Sequence, residues 1–579
     1  MRQWRDGEWH ELQGDEEADL QPLPNGEIMW DPVAHEDKHD LRRNEDSHNH
    51  EKHADEEHAN EERKHLNEEQ VLVNHDEDND TEQKNDHDGH KDTVPVPKEL
   101  ETFKKMLEDK IGLGVSFDVV AREMTFGDRR TLLLYMNGLV DSPVLTEVLK
   151  RLTYLHQDDV THHALHSFLE HYVPAIQVDK EEDFNKTVNA VMAGNSALFI
   201  EHEGAVLLID AKRFPVRGVE EPSLEKVVRG SRDGFVETLM LNVTLVRRRL
   251  RDPGLRYEIM KIGRRTQTDV CIAYINDIVD PKLVDSIKGK LDNVVLDGLP
   301  LADKQLEEAT VNRGWNPFPL VRYSERPDVA ATHLLDGKVL VFVDTTPSVM
   351  ILPTTYFDLV QHAEENRQTP FIGTFLRWVR YLGILASLFL LPLWFLFVIQ
   401  PELKPPALAF IGPQELGKIP LVAQFLIAEL GVDLMRMASV HTPTPLATAM
   451  SLIAAILIGD IAVKTGLFLN EVILYMAIAA IGMFATPSYE LGLANRIVRL
   501  LLIIAVAMYQ VPGFVVMSTI IFIVLALSRS FNRPYLWPLV PFDARALANV
   551  LFRVPVLKDR LRPNLLKPQQ RDKMPKKAK

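Results

Sequence analysis

The chain has 579 residues, more than one compact domain holds, with a formal net charge of −17 and a single cysteine. That charge is local, because residues 1–98 are dominated by Asp, Glu and His while the end of the chain is basic; no nucleic-acid or acidic-substrate partner is implied. One cysteine excludes an intramolecular disulfide and any cysteine-based zinc site.

Residues 1–20 are charged and hold no apolar core of the kind secretion needs, so the N-terminal half is expected in the cytoplasm. Residues 1–98 are expected to form a disordered acidic tail, since few aliphatic side chains are present to offset chain entropy. His48, His50, His53, His58 and His65 could bind a transition metal, but no scaffold fixes them in geometry, and no metal or cofactor is assigned. Val94-Pro95-Val96-Pro97 reads as a stiff extended linker closing the tail.

From Lys98 the spacing turns helical, placing Leu100, Phe103, Leu107 and Ile111 on one face. Runs 117–126 and 130–136 read as strands, and Ser142-Pro143 opens an amphipathic helix continuing to about His171. Residues 99–175 are therefore expected to be one α/β subdomain. A second, 176–375, starts near Val178 with strands around Glu203-Gly204 and a long helix from about Phe235. Strands at 256–263 and 268–274 follow, then a helix at LVDSIKGKLDNV and a strand–turn–strand at KVLVFVDTTPSVMIL. The fold class is a two-part α/β soluble domain followed by a polytopic α-helical membrane domain.

Cys271 lies in the apolar run VCIAYI and reads as a buried structural thiol. No HExxH, GxSxG or kinase-type set is present, so no enzyme is expected. Gly230-Ser231-Arg232-Asp233-Gly234 precedes a helix and could cradle a phosphate. It lacks the Walker and GxGxxG spacings and reads more simply as a tight turn. Arg217, Arg232, Arg247 and Arg248 are the candidate coupling or ligand-loop residues, although arginine at a helix C-terminus is favoured by the dipole alone.

Apolar runs then recur at about 378–399, 421–438, 446–463, 471–487 and 497–528, within a membrane domain of 376–530. The first span, 379–399, is long enough to cross about 30 Å of hydrocarbon, and Arg377 and Arg380 place its start in the cytoplasm. The C-terminal segment, 531–579, is read as a basic cytoplasmic tail. With Arg533, Arg545, Arg553, Lys558 and Arg560 it could rest on anionic membrane lipid. Both ends inside require an even number of crossings. There are six if 421–438 spans and 497–528 is a hairpin broken at Gln510-Val511-Pro512-Gly513, and four if neither holds. Arg436 and His441 inside, Lys464 outside, and Arg496 and Arg499 as inside loop charges fit six.

Glu429, Asp433 and Arg436 fall on one helical face. Three readings stand: a polar stripe facing an ion path, a pairing that holds neighbouring helices, or an amphipathic helix at the interface. Asp460 and Lys464 are either a satisfied i,i+4 pair or part of a conduction route. Ile473, Ala477, Ala480 and Met483 mark a small-residue helix suited to close packing or to a pore, and Pro487 could break it and free carbonyls.

The run PVRGVEEPSLEKVVRGSRDGFVETLMLNVTLVRRRLRDPGLRYEIMKIGRRTQTDVCIAYINDIVD resembles the A-subunit family of GerA-type spore germinant receptors. So do YSERPDVAATHLLDGKVLVFVDTTPSVMILPTTYF, DLMRMASVHTPTP, IGDIAV and FATPSYEL. The likeness covers roughly residues 100–545 and leaves out the His-rich head. It implies a multi-pass protein of the spore inner membrane, with the soluble domain and both termini on the cytoplasmic side. It further implies a ring of identical chains acting as the pore-forming subunit of an ion channel, with other spore-membrane germination proteins as partners. A non-conducting scaffold and, less simply, a secondary transporter are the alternatives. A transporter would show repeated halves, which 379–528 lacks.

Overall fold

The computed structural model describes residues 2–5, 8–11, 93–154, 177–214, 225–311, 314–408, 412, 418–441 and 461–573. The His cluster, Arg217, Asp460, most of the 446–463 run and residues 155–171 of the helix expected to continue to His171 lie outside the described residues. The chain divides into two units, Met1–Lys91 and Asp92–Lys579. In the first, Arg2–Arg5 pairs antiparallel with Glu8–Glu11, Trp4 opposite Trp9. Against the expectation of a structureless tail, the backbone of residues 2–5 and 8–11 forms this short strand pair, and residues 12–92 lie outside the described residues.

In the second unit, two five-stranded sheets follow one another. The first has the order Val119–Phe126, Arg129–Met136, Ser196–Ile200, Val206–Ile209, Val178–Glu181. The second runs Arg322–Ser324, Val349–Leu352, Val339–Val343, Thr268–Ile275, Leu255–Ile262. Every neighbouring pair is antiparallel.

The boundary expected at 175/176 is corrected, because strand 196–200 pairs with 129–136, and 206–209, paired in turn with 196–200 and 178–181, completes the first sheet. The Val-Pro linker is corrected too. Val96 is buried, Val96 N–H donates to the Glu182 carbonyl, and Phe184 N–H donates to that of Val94.

Both sheets are covered on both faces, which is why their inner strands read as unbroken apolar runs. In the first, Leu132, Leu134 and Phe199 face the helices Leu100–Ile111 and Phe184–Met192. Leu133, Leu198 and Ile200 face Ser142–Leu152. The predicted stripe Leu100, Phe103, Leu107, Ile111 is the buried face of its helix. In the second sheet, Tyr257, Cys271 and Phe342 pack beneath Leu239–Arg249 and Pro327–Asp336. The opposite face, with Ile272, Val341 and Met350, shares one core with Pro281–Asp292 and with Ile384, Leu491, Val498 and Leu502 of the apolar helices. That core is continuous from the second sheet into the apolar half.

The segment expected to trail as a basic tail is instead a strap on the second sheet's helices. Arg533 pairs with Asp280 at 2.6 Å, Arg562 donates to the Leu335 carbonyl at 2.7 Å, and Lys573 bridges Asp336 and Asp559. These cations are held by protein carboxylates and carbonyls rather than left to lipid.

Among the described residues two helices, Pro370–Ile399 and Tyr489–Leu527, are long and apolar enough to cross a membrane, and Asn470–Phe484 is a shorter apolar helix. Leu421–His441 has 21 residues and carries the three charges singled out above.

Candidate functional site

The Pro370–Ile399 helix is seated on the soluble domain by charge. Arg377 Nε donates to Glu365 at 2.6 Å, Arg380 pairs with the same carboxylate, and Arg377 also reaches the Asn549 carbonyl. Between two and three turns beyond Arg377, residues Ala386–Leu390 form a π turn. Such an insertion offsets the ladder and leaves a carbonyl to bond elsewhere. That carbonyl, of Ser387, accepts from Arg499 at 2.8 Å.

Tyr489–Leu527 does not run as one rod. Gln510 has φ 53° and ψ −126°, which breaks the helix. Gly513 then lies against the backbone of Ala505, eight residues earlier, which an unbroken helix would hold about 12 Å away. The chain turns back at the Gln510–Gly513 segment named from the sequence. Both ends of this hairpin meet the soluble domain, through Lys304–Glu490 at 2.8 Å and Asn316 Nδ2 donating to Ser528 Oγ at 2.8 Å. Its tip meets the end of the first helix, where Gln400 Nε2 donates to Gln510 Oε1 at 2.6 Å. Near the starts of the other two helices, Leu469 N–H donates to Gln424 Oε1 at 3.0 Å.

Midway along these helices sits an ionic cluster. Glu429 accepts from Arg496 Nε at 2.9 Å and Arg499 Nε at 2.6 Å, and its own carbonyl accepts from Arg496 at 2.6 Å. Asp433 also pairs with Arg496. Glu429, Arg496 and Arg499 are buried, whereas the Asp433 side chain is 39% exposed. Two carboxylates and two guanidiniums balance in charge. Ions so buried persist only when paired and fully hydrogen-bonded.

Of the expected stripe, Glu429 and Asp433 meet at this cluster. Arg436 instead lies over the Tyr489 ring, 4.3 Å from its centre. Arg496 and Arg499 were expected as loop charges. They are helical and buried, because Ser488 caps a helix beginning at Tyr489, well before the apolar run. Their spacing of three, on a helix following a Ser-x-x-Leu start, was the available signal.

Lys464 is exposed at the end of a short turn Ile461–Lys464. The Asn470–Phe484 helix buries Val472, Met476, Ala479, Gly482 and Met483; of the expected face Met483 is buried, Ile473 and Ala480 are partly buried, and Ala477 is exposed. Gly482 abuts the Gly383 carbonyl, which is where small residues bring two backbones together. Pro487 lies beyond the helix end at Phe484, in the link to Tyr489, so it frees no mid-helix carbonyl.

In the soluble domain, Arg247 is corrected as a ligand-loop residue. It is buried, and its guanidinium is spent on Asp118 at 2.8 Å and on the carbonyls of Asp252 and Leu255. It joins the first sheet's entry strand to the second subdomain, helped by Tyr257 N–H donating to Ser116 Oγ. Arg248 stacks on Phe214 and Arg232 is exposed. The Gly230–Gly234 turn is held from outside by Arg249, which donates to Ser231 Oγ, and by Arg326, which donates to the Ser231 carbonyl. Burial pushes the Cys271 thiol well above its ordinary range. Among the described residues no group of three or more His, Cys, Asp or Glu could hold a metal ion.

A family described as Bacillus/Clostridium GerA spore germination protein matches residues 103–565, and the chain belongs to that family. It is 47% identical over 472 residues to stage V sporulation protein AF of Bacillus subtilis (strain 168), covering 82% of this chain and 96% of that one. Spore germination protein KA of the same organism is 31% identical, covering 79% and 86%. Spore germination protein GerLA of Bacillus cereus is 28% identical, covering 79% and 94%. Among solved structures, the N-terminal domain of the A subunit of the Bacillus megaterium spore germinant receptor GerK3 matches with TM-score 0.34 and 27% identity. It covers 45% of this chain and 96% of that one.

Proposed function

We propose that this germination-family protein is the pore-forming subunit of an oligomeric ion channel in the spore inner membrane, releasing ions as dormancy ends. The observation that carries the reading is the Glu429–Arg496–Arg499 cluster, set midway along otherwise apolar helices with Asp433 at its accessible edge. Around Asp433, Leu426, Leu430, Leu434 and Met437 are exposed, a face that neighbouring copies in a ring would cover. On this reading the soluble domain and both termini lie on the cytoplasmic side, the hairpin tip at Gln510 lies across the membrane, and six crossings result. The chain carries no catalytic step; other germination proteins of the spore membrane are its partners.

A second reading, a non-conducting scaffold, is favoured by one fact: both Glu429 oxygens are already satisfied within the protomer. Full-length protein in detergent should run as an oligomer, and in liposomes it should pass monovalent cations. Absence of flux from folded, oligomeric protein, with and without co-expressed germination partners, would replace the channel with the scaffold.

A further inference from the structure

The Pro370–Ile399 helix is 30 residues long, or about 45 Å. Hydrocarbon takes about 30 Å of that, leaving roughly ten residues, Pro370 to Val379, on the soluble-domain side. On this excess, Phe371, Phe375 and Trp378 form an exposed stripe at four- and three-residue spacing. Aromatic side chains at that depth sit at the headgroup level.

The strap lies directly beside this stripe. Trp378 Nε1 donates to the Leu551 carbonyl at 3.0 Å and its ring meets Phe552 at 5.5 Å. Tyr381 donates to the Val550 carbonyl, and Arg553 N–H donates to Thr374 Oγ1. After this contact the strap turns up two large apolar side chains that cover nothing, Val556 at 72% and Leu557 at 77% exposure. Next to them in the chain Lys558 and Arg560 are exposed, as is Arg545 on the strap's helix Ala544–Leu551, and none makes an ion pair among the described residues. Arg533, Arg562 and Lys573 are committed to protein groups, and Arg553 and Arg571 donate to Asn366 and Asn564. Lys558 and Arg560, beside the apolar pair in the chain, and Arg545 are left over, as is Lys567 farther along the strap. That combination suits a surface with anionic headgroups above an acyl boundary.

We propose that the 542–560 segment of the strap is an anionic-lipid docking surface, inserting Val556 and Leu557 while Arg545, Lys558 and Arg560 hold lipid phosphates. It rests on the membrane reading above. It places the strap that clamps the second subdomain in register with the bilayer surface. Lipid charge would thereby act on the soluble domain through the strap.

The test uses the full chain with a nitroxide at Val556→Cys, Cys271 being buried and its thiol too weakly ionised to compete. A second protein is labelled at Val516→Cys, on the exposed face of the hairpin's returning arm. Both are reconstituted in phosphatidylcholine vesicles with and without phosphatidylglycerol, and collisions with oxygen and with an aqueous nickel chelate are compared. With phosphatidylglycerol, position 556 should favour oxygen. It should revert to the nickel-accessible state in pure phosphatidylcholine or when Arg545→Glu, Lys558→Glu and Arg560→Glu are combined. Position 516 should favour oxygen throughout. The proposal is overturned if 556 stays nickel-accessible in both lipids while 516 is lipid-exposed. It is equally overturned if 556 is shielded from both reagents whatever the lipid, which would mean that protein covers it. Nickel access at 516 would bring down the membrane reading, and this inference with it.

Discussion

Two of the buried ionic clusters in this protein differ in company. Asp118–Arg247 joins the two sheet-bearing subdomains, and the arginine's remaining donors end on fixed backbone carbonyls. Glu429–Arg496–Arg499 joins three apolar helices. It ends on a π turn, on a half-exposed aspartate, and on a face that the protomer leaves uncovered. The first pair is closed on every side by its own chain, as a structural pair should be. The second is closed within but open at its edge, where a neighbour or an ion could enter. Buried charge alone does not tell a clamp from a functional centre; what borders it does.

Replacing Glu429 with Leu should have the largest effect, leaving Arg496 and Arg499 facing each other in an apolar setting. A loss of about 3–5 kcal/mol is expected, read as a lowered unfolding temperature in detergent. Adding Arg499→Leu should recover part of it, because Arg496 keeps Asp433. Asp118→Leu should cost about as much in principle. The loss should be confined to the soluble domain, with the hairpin's protease resistance unchanged. If Asp118→Leu loosens the hairpin as well, the two clusters are not independent and the contrast fails.

Packing provides a smaller test. A Cβ at Gly482 would overlap the Gly383 backbone, so Gly482→Ala should cost about 1–3 kcal/mol by forcing two helices apart. Gly431, on the helix that carries Glu429, has nothing near its missing side chain, and Gly431→Ala should stay within about 1 kcal/mol of wild type. Equal effects at the two positions would show that the Gly383–Gly482 approach does not bind the helices.

Much of this was legible from periodicity and punctuation. The stripe from Leu100 to Ile111, the paired strands and the hairpin break at Gln510–Gly513 follow from spacing and turn residues. Sheet membership was not, because strands 196–200 and 206–209 look alike whichever neighbour they pair with, and pairing is decided by packing far along the chain. The Glu429 half of the candidate site stood out as charge in an apolar run. Its arginine half did not, since Arg496 and Arg499 border that run and look like flanking loop charges. The strap was missed for a similar reason. Basic residues read as a tail until the carboxylates that hold them, Asp280 and Asp336, are seen about 250 residues away.

Acid gives a further test. Burial, with Arg380, Arg322 and Arg326 facing it against Glu364 alone, lowers the His362 pKa to about 4. The unfolded chain takes up that proton near pH 6.5, so stability present above 6.5 should fall as pH drops towards 4. His362 Nδ1 accepts from Glu364 N–H and caps the short helix Ala363–Arg367. His362→Asn should keep the cap while flattening the acid limb of the unfolding temperature. An unchanged acid limb would assign it to other groups.

The most direct test of the central claim is cation flux through liposomes holding wild type or Asp433→Asn, the one carboxylate at the cluster's accessible edge. The account predicts that both fold and assemble alike while the variant passes ions at a clearly altered rate. Identical flux from the two proteins would contradict it, leaving the Glu429 cluster as a clamp like Asp118–Arg247.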